Sequence, residues 1–323
     1  MTNSKEQSKI TDFFETAIFF VESRVRQALS RIPQNIKLSA QEIRLRSYQN
    51  VAIICMKNTF FLQSSGDITS DINSPENVII TSLEIEKSFH SLCDYSVYSF
   101  QNQILNGFIT TKGGHRVGIC GAAVMQSGKI INVKNVTALN IRIAREFPEI
   151  YPKIFEIFKD SVKNTLIIGP PGCGKTSVLR NLAKNISLCK YPKPFLKVVI
   201  IDERCEISGI NQGILQFNIG LSDVLSEFPK PEGIARAIRC LSPDVIICDE
   251  IGAEEDVQAI SRCCHCGVKI IASIHAENKE DFFKKNIVSQ LISSCEFENL
   301  IFLKGANYPG SVDCIIKASE IKS

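Results

Sequence analysis

The sequence predicts an α/β fold with a parallel central sheet in its C-terminal half, preceded by a smaller N-terminal α+β domain. Three observations carry that prediction. Beyond residue 148, short apolar runs rich in β-branched residues alternate with helical stretches: Thr165–Ile168, Lys197–Ile201, Asp244–Cys248 and Lys269–Ile274. Continuous apolar strands of this kind belong to a parallel sheet covered on both faces. A glycine-rich turn joins the first run to a helical pattern. Before residue 147 the texture differs, with short alternating strands joined by glycine turns.

The elements follow in chain order. Ile10, Phe13, Phe14, Ala17, Ile18, Val21, Val25, Ala28 and Leu29 recur at helical spacing, and the pattern stops at Pro33. This leading amphipathic helix reads as a packing helix. The alternative is a helix that docks on a partner or a membrane surface. Glu42–Arg46 and Val51–Cys55 read as strands, Gly66–Pro75 as a loop and Leu83–Cys93 as a helix. Residues 107–111, 113–118 and 128–133 read as further strands. Pro148 and Pro152 bracket a linker, so the expected domains are 1–147 and 148–323.

Composition agrees with this division. At roughly 150 residues per domain, 323 residues make about two domains. Apolar residues at 44% and charged residues at 22% exclude a disordered or collagen-like chain. Lys plus Arg total 37 against 34 Asp plus Glu, a balance that weighs against non-specific nucleic-acid binding as the main activity. The thirteen cysteines come with no secretory signal and no run near the ~18 apolar residues of a membrane span. The expectation is a cytoplasmic protein whose reduced thiols serve as small hydrophobes.

Gly169-Pro170-Pro171-Gly172-Cys173-Gly174-Lys175-Thr176 satisfies GxxxxGK[ST], between an apolar strand and a helix that begins near Ser177. Glycines let backbone N–H groups close around phosphate oxygens, and the helix N-terminus adds partial positive charge. Lys175 is positioned in the motif to meet the outer phosphates of ATP, and Thr176 to ligate Mg2+. Downstream, an apolar strand ends in Asp249-Glu250. Asp249 is expected to hold Mg2+ through water, and Glu250 to orient and polarise the attacking water. The strand ending in Asp202-Glu203-Arg204 lies in sequence between these stations and reads either as part of the same sheet edge or as a surface ion-pair cluster. His275 ends another strand and suits a γ-phosphate sensor or a cap.

Two cysteine features are set aside. Cys263-Cys264-His265-Cys266 has adjacent ligands and no second pair at zinc spacing, so its side chains would leave a helix on different faces. Cys173 lies at a loop position read as tolerant of most residues.

Several segments resemble the stage III sporulation protein AA family. They are Asp202–Gly209, Asp223-Val224-Leu225 with Pro229–Gly233, Ala237–Asp244, Asp249–Gly252, and, in the N-terminal half, Glu42–Arg46, Gly113–Gly121 and Asn140–Glu146. The resemblance spans roughly residues 36–318. It implies likeness to the ATPases of type II secretion and type IV pilus machines, with a RecA-like P-loop NTPase domain and a homo-oligomeric, hexameric ring. It also implies peripheral association with membrane-embedded subunits of a sporulation channel complex on the mother-cell side. By position, Lys175 and Thr176 match Walker A, Asp249 and Glu250 match Walker B, Asp202 and Glu203 match an acidic box, and His275 matches a histidine position. An additional cation for the developing charge remains open among Arg142, Arg145, Arg204, Arg236 and Arg239. The rival reading is an ATP-regulated nucleic-acid-binding module with a basic face of Arg44, Arg46, His115, Arg116, Arg142 and Arg145. A third reading, a structural ring component without turnover, conflicts with the intact Glu203 and Glu250.

Overall fold

Alternation in the first strand sets the N-terminal sheet: Ile43 and Leu45 are fully buried, while Glu42, Arg44 and Arg46 lie on the other face. The computed structural model describes residues 13–55, 58–144, 152–190, 195–211, 213–294, 297–317 and 320. The chain divides into two units, Met1–Arg145 and Glu146–Ser323. Ile10, Arg145 and the linker expected at Pro148 lie outside the described residues.

The strands of the first unit are β1 (Glu42–Arg46), β2 (Gln49–Asn50), β3 (Ala52–Cys55), β4 (Asn58–Leu62), β5 (Ile68–Thr69), β6 (Ile79–Ile80), β7 (Phe108–Thr110), β8 (Arg116–Gln126) and β9 (Lys129–Arg142). Seven of them form one antiparallel sheet, ordered β5-β4-β3-β1-β9-β8-β7, and β2 pairs with β6. Strand β9 is longer than the sequence pattern indicated because it pairs along both β1 and β8. The loop expected at Gly66–Pro75 contains β5, which pairs with Phe61 and Leu62.

The helices here are α1 (residues 13–18), α2 (Ser23–Arg31), α3 (Gln34–Ser39), α4 (Ser82–Leu92) and α5 (Gln101–Leu105). The single leading helix expected from periodicity is broken at residues 19–22. Glu22 supplies the physical reason. Its carboxylate accepts from Arg24 N at 2.9 Å and starts α2, while its own N–H donates to Ser88 Oγ at 2.9 Å. Both halves keep their apolar face in the core, with Phe14, Ala17, Ile18, Val25 and Leu29 buried against Ile43, Leu45 and Leu139. Thr81 and Glu84 form a capping box on α4.

Of the basic face read as a nucleic-acid surface, His115 is withdrawn into the core, and Arg44, Arg116 and Arg142 have partners on the sheet. His115 is fully buried, with Nε2 2.9 Å from Thr16 Oγ1 and Nδ1 accepting from Ala144 N at 3.0 Å. Arg44 pairs with Glu42 at 3.0 Å, Arg142 lies 3.9 Å from the same carboxylate, and Arg116 stacks over the Phe108 ring.

The second unit contains β10 (Thr165–Gly169), β11 (Val198–Asp202), β12 (Asp223–Ser226), β13 (Val245–Cys248), β14 (Lys269–His275), β15 (Asn299–Leu303) and β16 (Val312–Lys317). Its helices are α6 (Pro152–Ile157), α7 (Lys175–Ser187), α8 (Lys230–Leu241), α9 (Glu254–His265), α10 (Lys279–Lys284) and α11 (Asn286–Ser294). The sheet runs β12-β11-β13-β14-β10-β15-β16, parallel except for the β15–β16 pair. Leu166 and Ile168 face one core and Ile167 the other, so both faces of β10 are covered. Each such buried aliphatic side chain contributes about 2 kcal/mol of transfer free energy. The edge strands β12 and β16 escaped the sequence pattern because each is partly solvent-facing and mixed in polarity. In the sheet β14 lies between β10 and β13, although it follows both in the chain. No helix among the described residues is long and apolar enough to cross a membrane.

Burial pushes the His115 imidazole down from 6.5 to about 4. An unfolded chain therefore binds a proton that the folded chain refuses between those values. The stability contributed is present above 6.5 and is lost as pH falls toward 4. An NMR titration of the full chain should show His115 neutral until pH approaches about 4. A midpoint near 6.5 would contradict its buried environment.

Candidate functional site

The phosphate loop leaves the sheet at Gly169 and returns to regular structure at Lys175, the first residue of α7. Two positions in it require glycine: Gly172 has φ +73° and Gly174 φ +91°. A Cβ on Gly174 would stand 2.6 Å from Gly310 N, in the β15–β16 connection, and Gly310 N itself donates to Cys173 O at 2.5 Å. That connection thus packs on the loop. The Cys173 side chain is buried, and a Cβ on Gly169 would meet its sulfur at 2.6 Å. Position 173 is therefore packed tightly and does not have the tolerance expected of it. Burial raises its thiol pKa, which works against a thiolate.

Strand register assembles the rest. Gly169 pairs with His275, and Cys248 with Ala272, so Asp249 emerges beside Ser273. Thr176 Oγ1 donates to Asp249 Oδ2 at 2.6 Å, and Ser273 Oγ donates to Asp249 Oδ1. Ser273 was missed in the sequence; the available signal was a lone hydroxyl within an apolar strand, two residues before His275. The Lys175 ammonium uses three donors, to Gly169 O at 2.8 Å, Pro170 O at 3.0 Å and His275 Nδ1 at 3.0 Å. Burial lowers the pKa of Lys175. It also lowers that of His275, with the Lys175 charge adding to the effect. An ammonium has no acceptor, so Nδ1 accepts and the neutral ring carries its proton on Nε2. That nitrogen stands 3.6 Å from Glu250 Oε1.

Glu250 adopts φ +49°, uncommon for a residue with a side chain. Its N–H donates to Ser273 Oγ at 3.0 Å, and the next residue, Ile251, donates to Ser273 O at 2.8 Å. Its Oε2 accepts from Arg204 Nη1. The neighbouring acids behave differently. Asp202 is buried and accepts from the N–H groups of Glu206, Ile207 and Ser208 and from Ser208 Oγ, so it anchors the following loop rather than facing a ligand. Burial raises its pKa. Arg180 of α7 donates to Ile207 O and Glu206 O and stacks on Phe217, tying that loop to the phosphate-loop helix. Glu203 pairs with Lys230 at 2.5 Å and has no contact with the Thr176–Asp249 pair among those described. Arg236 stacks over Phe228, and Arg239 donates to Ala235 O within α8. In the cysteine cluster, Cys263 is buried and Cys266 exposed, as separate helix faces require.

Ser177 completes the first turn of α7, so the loop ends in the unpaired amides of a helix N-terminus. With a threonine hydroxyl and a carboxylate already 2.6 Å apart, the donor set is all oxygen, which suits magnesium beside a triphosphate.

A glycine loop between a buried strand and a helix, joined through Thr176 to an acid two strands away, defines the RecA-like P-loop NTPase fold. The chain belongs to the family described as sporulation stage III, protein AA, whose model matches residues 15–322. It is 35% identical over 293 residues to stage III sporulation protein AA of Bacillus subtilis (strain 168), covering 90% of this chain and 91% of that one. An uncharacterized protein, ycf45, of Cyanidium caldarium is 32% identical over 164 residues, 50% of this chain and 48% of that one. Among solved structures, the ATPase DotB of Legionella pneumophila superposes with a TM-score of 0.52 at 14% identity, covering 89% of this chain and 76% of that one. The pilus retraction motor PilT with bound ADP gives 0.50 at 17% identity, covering 83% and 75%. Both likenesses are of fold.

The Asp202 anchor generates a stability prediction. Asp202→Ala leaves three backbone N–H groups and the Ser208 hydroxyl without their acceptor. The loss should be roughly 2–4 kcal/mol, read as a lower denaturant midpoint. An unchanged midpoint would remove the structural role.

Proposed function

We propose that this chain is an ATP-hydrolysing motor subunit of a sporulation channel complex linking mother cell and forespore. The observation that carries the reading is the 2.6 Å bond from Thr176 Oγ1 to Asp249 Oδ2, which joins two motifs 73 positions apart in one oxygen site, with Glu250 adjacent. Family membership supports the sporulation setting, and the fold shared with DotB and PilT supports the motor. In this proposal residues 148–323 carry the nucleotide chemistry and residues 1–147 form the second domain. The subunits assemble as a homo-hexamer on the mother-cell cytoplasmic side, against membrane-embedded partners.

The residues divide the work. The backbone of Gly169–Gly174 and the amides of Lys175, Thr176 and Ser177 cradle the phosphates. Lys175 exchanges its two carbonyl acceptors for outer phosphate oxygens and keeps His275 Nδ1. Thr176 and Asp249 would hold magnesium, which when bound would supply positive charge to offset that of the phosphates. Glu250 orients a water for in-line attack and accepts its proton. His275, neutral, bridges Lys175 and Glu250 and offers its Nε2 proton on the side where charge develops.

Lys175→Ala should abolish turnover and weaken ATP binding. Glu250→Gln should bind ATP and lose turnover by ~10²-fold or more. Glu203→Gln should stay close to the parent, because its partner is Lys230. ATPase assays with purified full-length protein check all three. Parent-like turnover in Lys175→Ala would overturn the site. The cellular role is tested by replacing the native gene in a spore-forming host with the Glu250→Gln variant. Normal spore yield there would separate any ATPase from sporulation.

A further inference from the structure

The acid at position 250 is not left to itself. One of its oxygens lies 3.6 Å from His275 Nε2, and the other accepts from the Arg204 guanidinium. Lys175, His275, Glu250 and Arg204 thus form a continuous row, with a cation at each end. Arg204 is carried on the loop that Asp202 anchors through its carboxylate and that Arg180 ties to α7. The loop that carries Arg204 is therefore tied to the same framework as the phosphate loop, and half of the Arg204 side chain is exposed. Glu250 meanwhile has its backbone held at φ +49° by Ser273. What its main chain leaves undetermined is the side-chain rotamer, and Arg204 determines that.

We propose that Arg204 is a positioning residue, acting within its own chain, that holds the Glu250 carboxylate in register for water and offsets its charge so that the site accepts a γ-phosphate. The inference rests on the ATPase reading above. Two negative groups, a carboxylate and a terminal phosphate, must come within a water's width of each other for hydrolysis. A guanidinium on the far oxygen reduces their repulsion without occupying the near oxygen. Arg suits this better than Lys, since its planar fork fixes direction as well as charge.

The charge argument makes a binding prediction separate from activity. With Glu250 present, Arg204→Ala leaves an uncompensated carboxylate that repels the γ-phosphate. The affinity for ATP should then fall by roughly 5-fold relative to that for ADP. In the Glu250→Gln background the same substitution should leave the ATP-to-ADP ratio unchanged. Turnover should fall by at least ~10-fold in kcat, beyond the change in KM. Arg204→Lys should restore the nucleotide ratio but only part of kcat.

The experiment measures ATP and ADP affinity by displacement of a fluorescent nucleotide, and steady-state turnover. It uses the full chain, as parent, Lys175→Ala, Arg204→Ala, Arg204→Lys, Glu250→Gln and the Arg204→Ala/Glu250→Gln double variant. ATP-selective weakening that disappears with Glu250→Gln, together with the kcat loss and the partial rescue by Lys, supports the assignment. Equal loss of ATP and ADP that persists in the double variant makes Arg204 a structural residue and overturns it. Parent-like behaviour of Arg204→Ala beside an inactive Lys175→Ala overturns the inference and leaves the ATPase reading standing. Parent-like turnover in Lys175→Ala removes both. Should Arg204→Ala fail to fold, Arg204→Lys decides: parent-like kcat from a side chain without the fork overturns the positioning role.

Discussion

Asp249 accepts a hydroxyl hydrogen bond on each carboxylate oxygen, from Thr176 on one and Ser273 on the other, and the rest of the site is arranged around that carboxylate. Each partner arrives by a different constraint. Thr176 is in the first turn of α7, so its position follows from where the phosphate loop ends. Ser273 is inside β14, and its position follows from the pairing of Cys248 with Ala272. A shift of one residue in that register would carry Ser273 to the other face of the sheet. Asp249 would lose an acceptor bond and Glu250 the hydroxyl that receives its N–H. The pairing of β14 with β10 on its other side brings His275 beside Gly169, where Lys175 donates to both. A buried sheet whose two faces fill separate apolar cores is therefore what holds these polar groups in place.

Asp202 and Asp249 illustrate how little residue type alone decides. Both end an apolar strand, and their strands are neighbours in the sheet. Asp249 keeps its oxygens toward hydroxyls at the phosphate loop. Asp202 is drawn inward and saturated by three amides and a hydroxyl of its own loop. Arg204 lies on the loop so anchored. Removing a buried carboxylate from water is unfavourable unless its lone pairs are filled, and here they are. The two acids thus serve one site by different means, one at the ligand-facing edge and one as its foundation.

What could be read from the sequence follows the same division. Gly169–Thr176 was legible because phosphate binding demands fixed residue types at fixed spacing next to a strand and a helix. Asp249-Glu250 was legible for a related reason, since the chemistry requires acids where a buried strand ends. The parallel strands β10, β11, β13 and β14 were legible from continuous β-branched runs. Ser273 was hidden because one hydroxyl in an apolar run has no local signature; only pairing to β13 gives it meaning. The insertion of β14 between β10 and β13 is a property of topology and is silent in chain order. His115 counted as a basic surface residue in the sequence, yet tertiary contacts with Thr16 and Ala144 bury it. The break after α1 was masked because Phe20 and Val21 still obey an apolar pattern while the backbone turns.

The charges at the site have a consequence for assembly. Taking that row together with the adjoining Asp249, two cations, Lys175 and Arg204, stand with two carboxylates, Asp249 and Glu250, around the His275 ring. The cluster is balanced before any ligand is considered. A nucleoside triphosphate remains negative even with magnesium, so its transition-state charge calls for a cation that this balance does not provide. The other arginines considered within this unit are engaged elsewhere, Arg236 on the Phe228 ring and Arg239 along its own helix. Arg204 cannot fill both roles at once, because moving it to a phosphate would leave Glu250 unpaired. The simplest source consistent with the proposed homo-oligomer is a second copy of the chain. In the proposed ring, Arg204 would set the geometry of attack from within, a neighbour's cation would stabilise the charge that develops, and hydrolysis would be conditional on assembly.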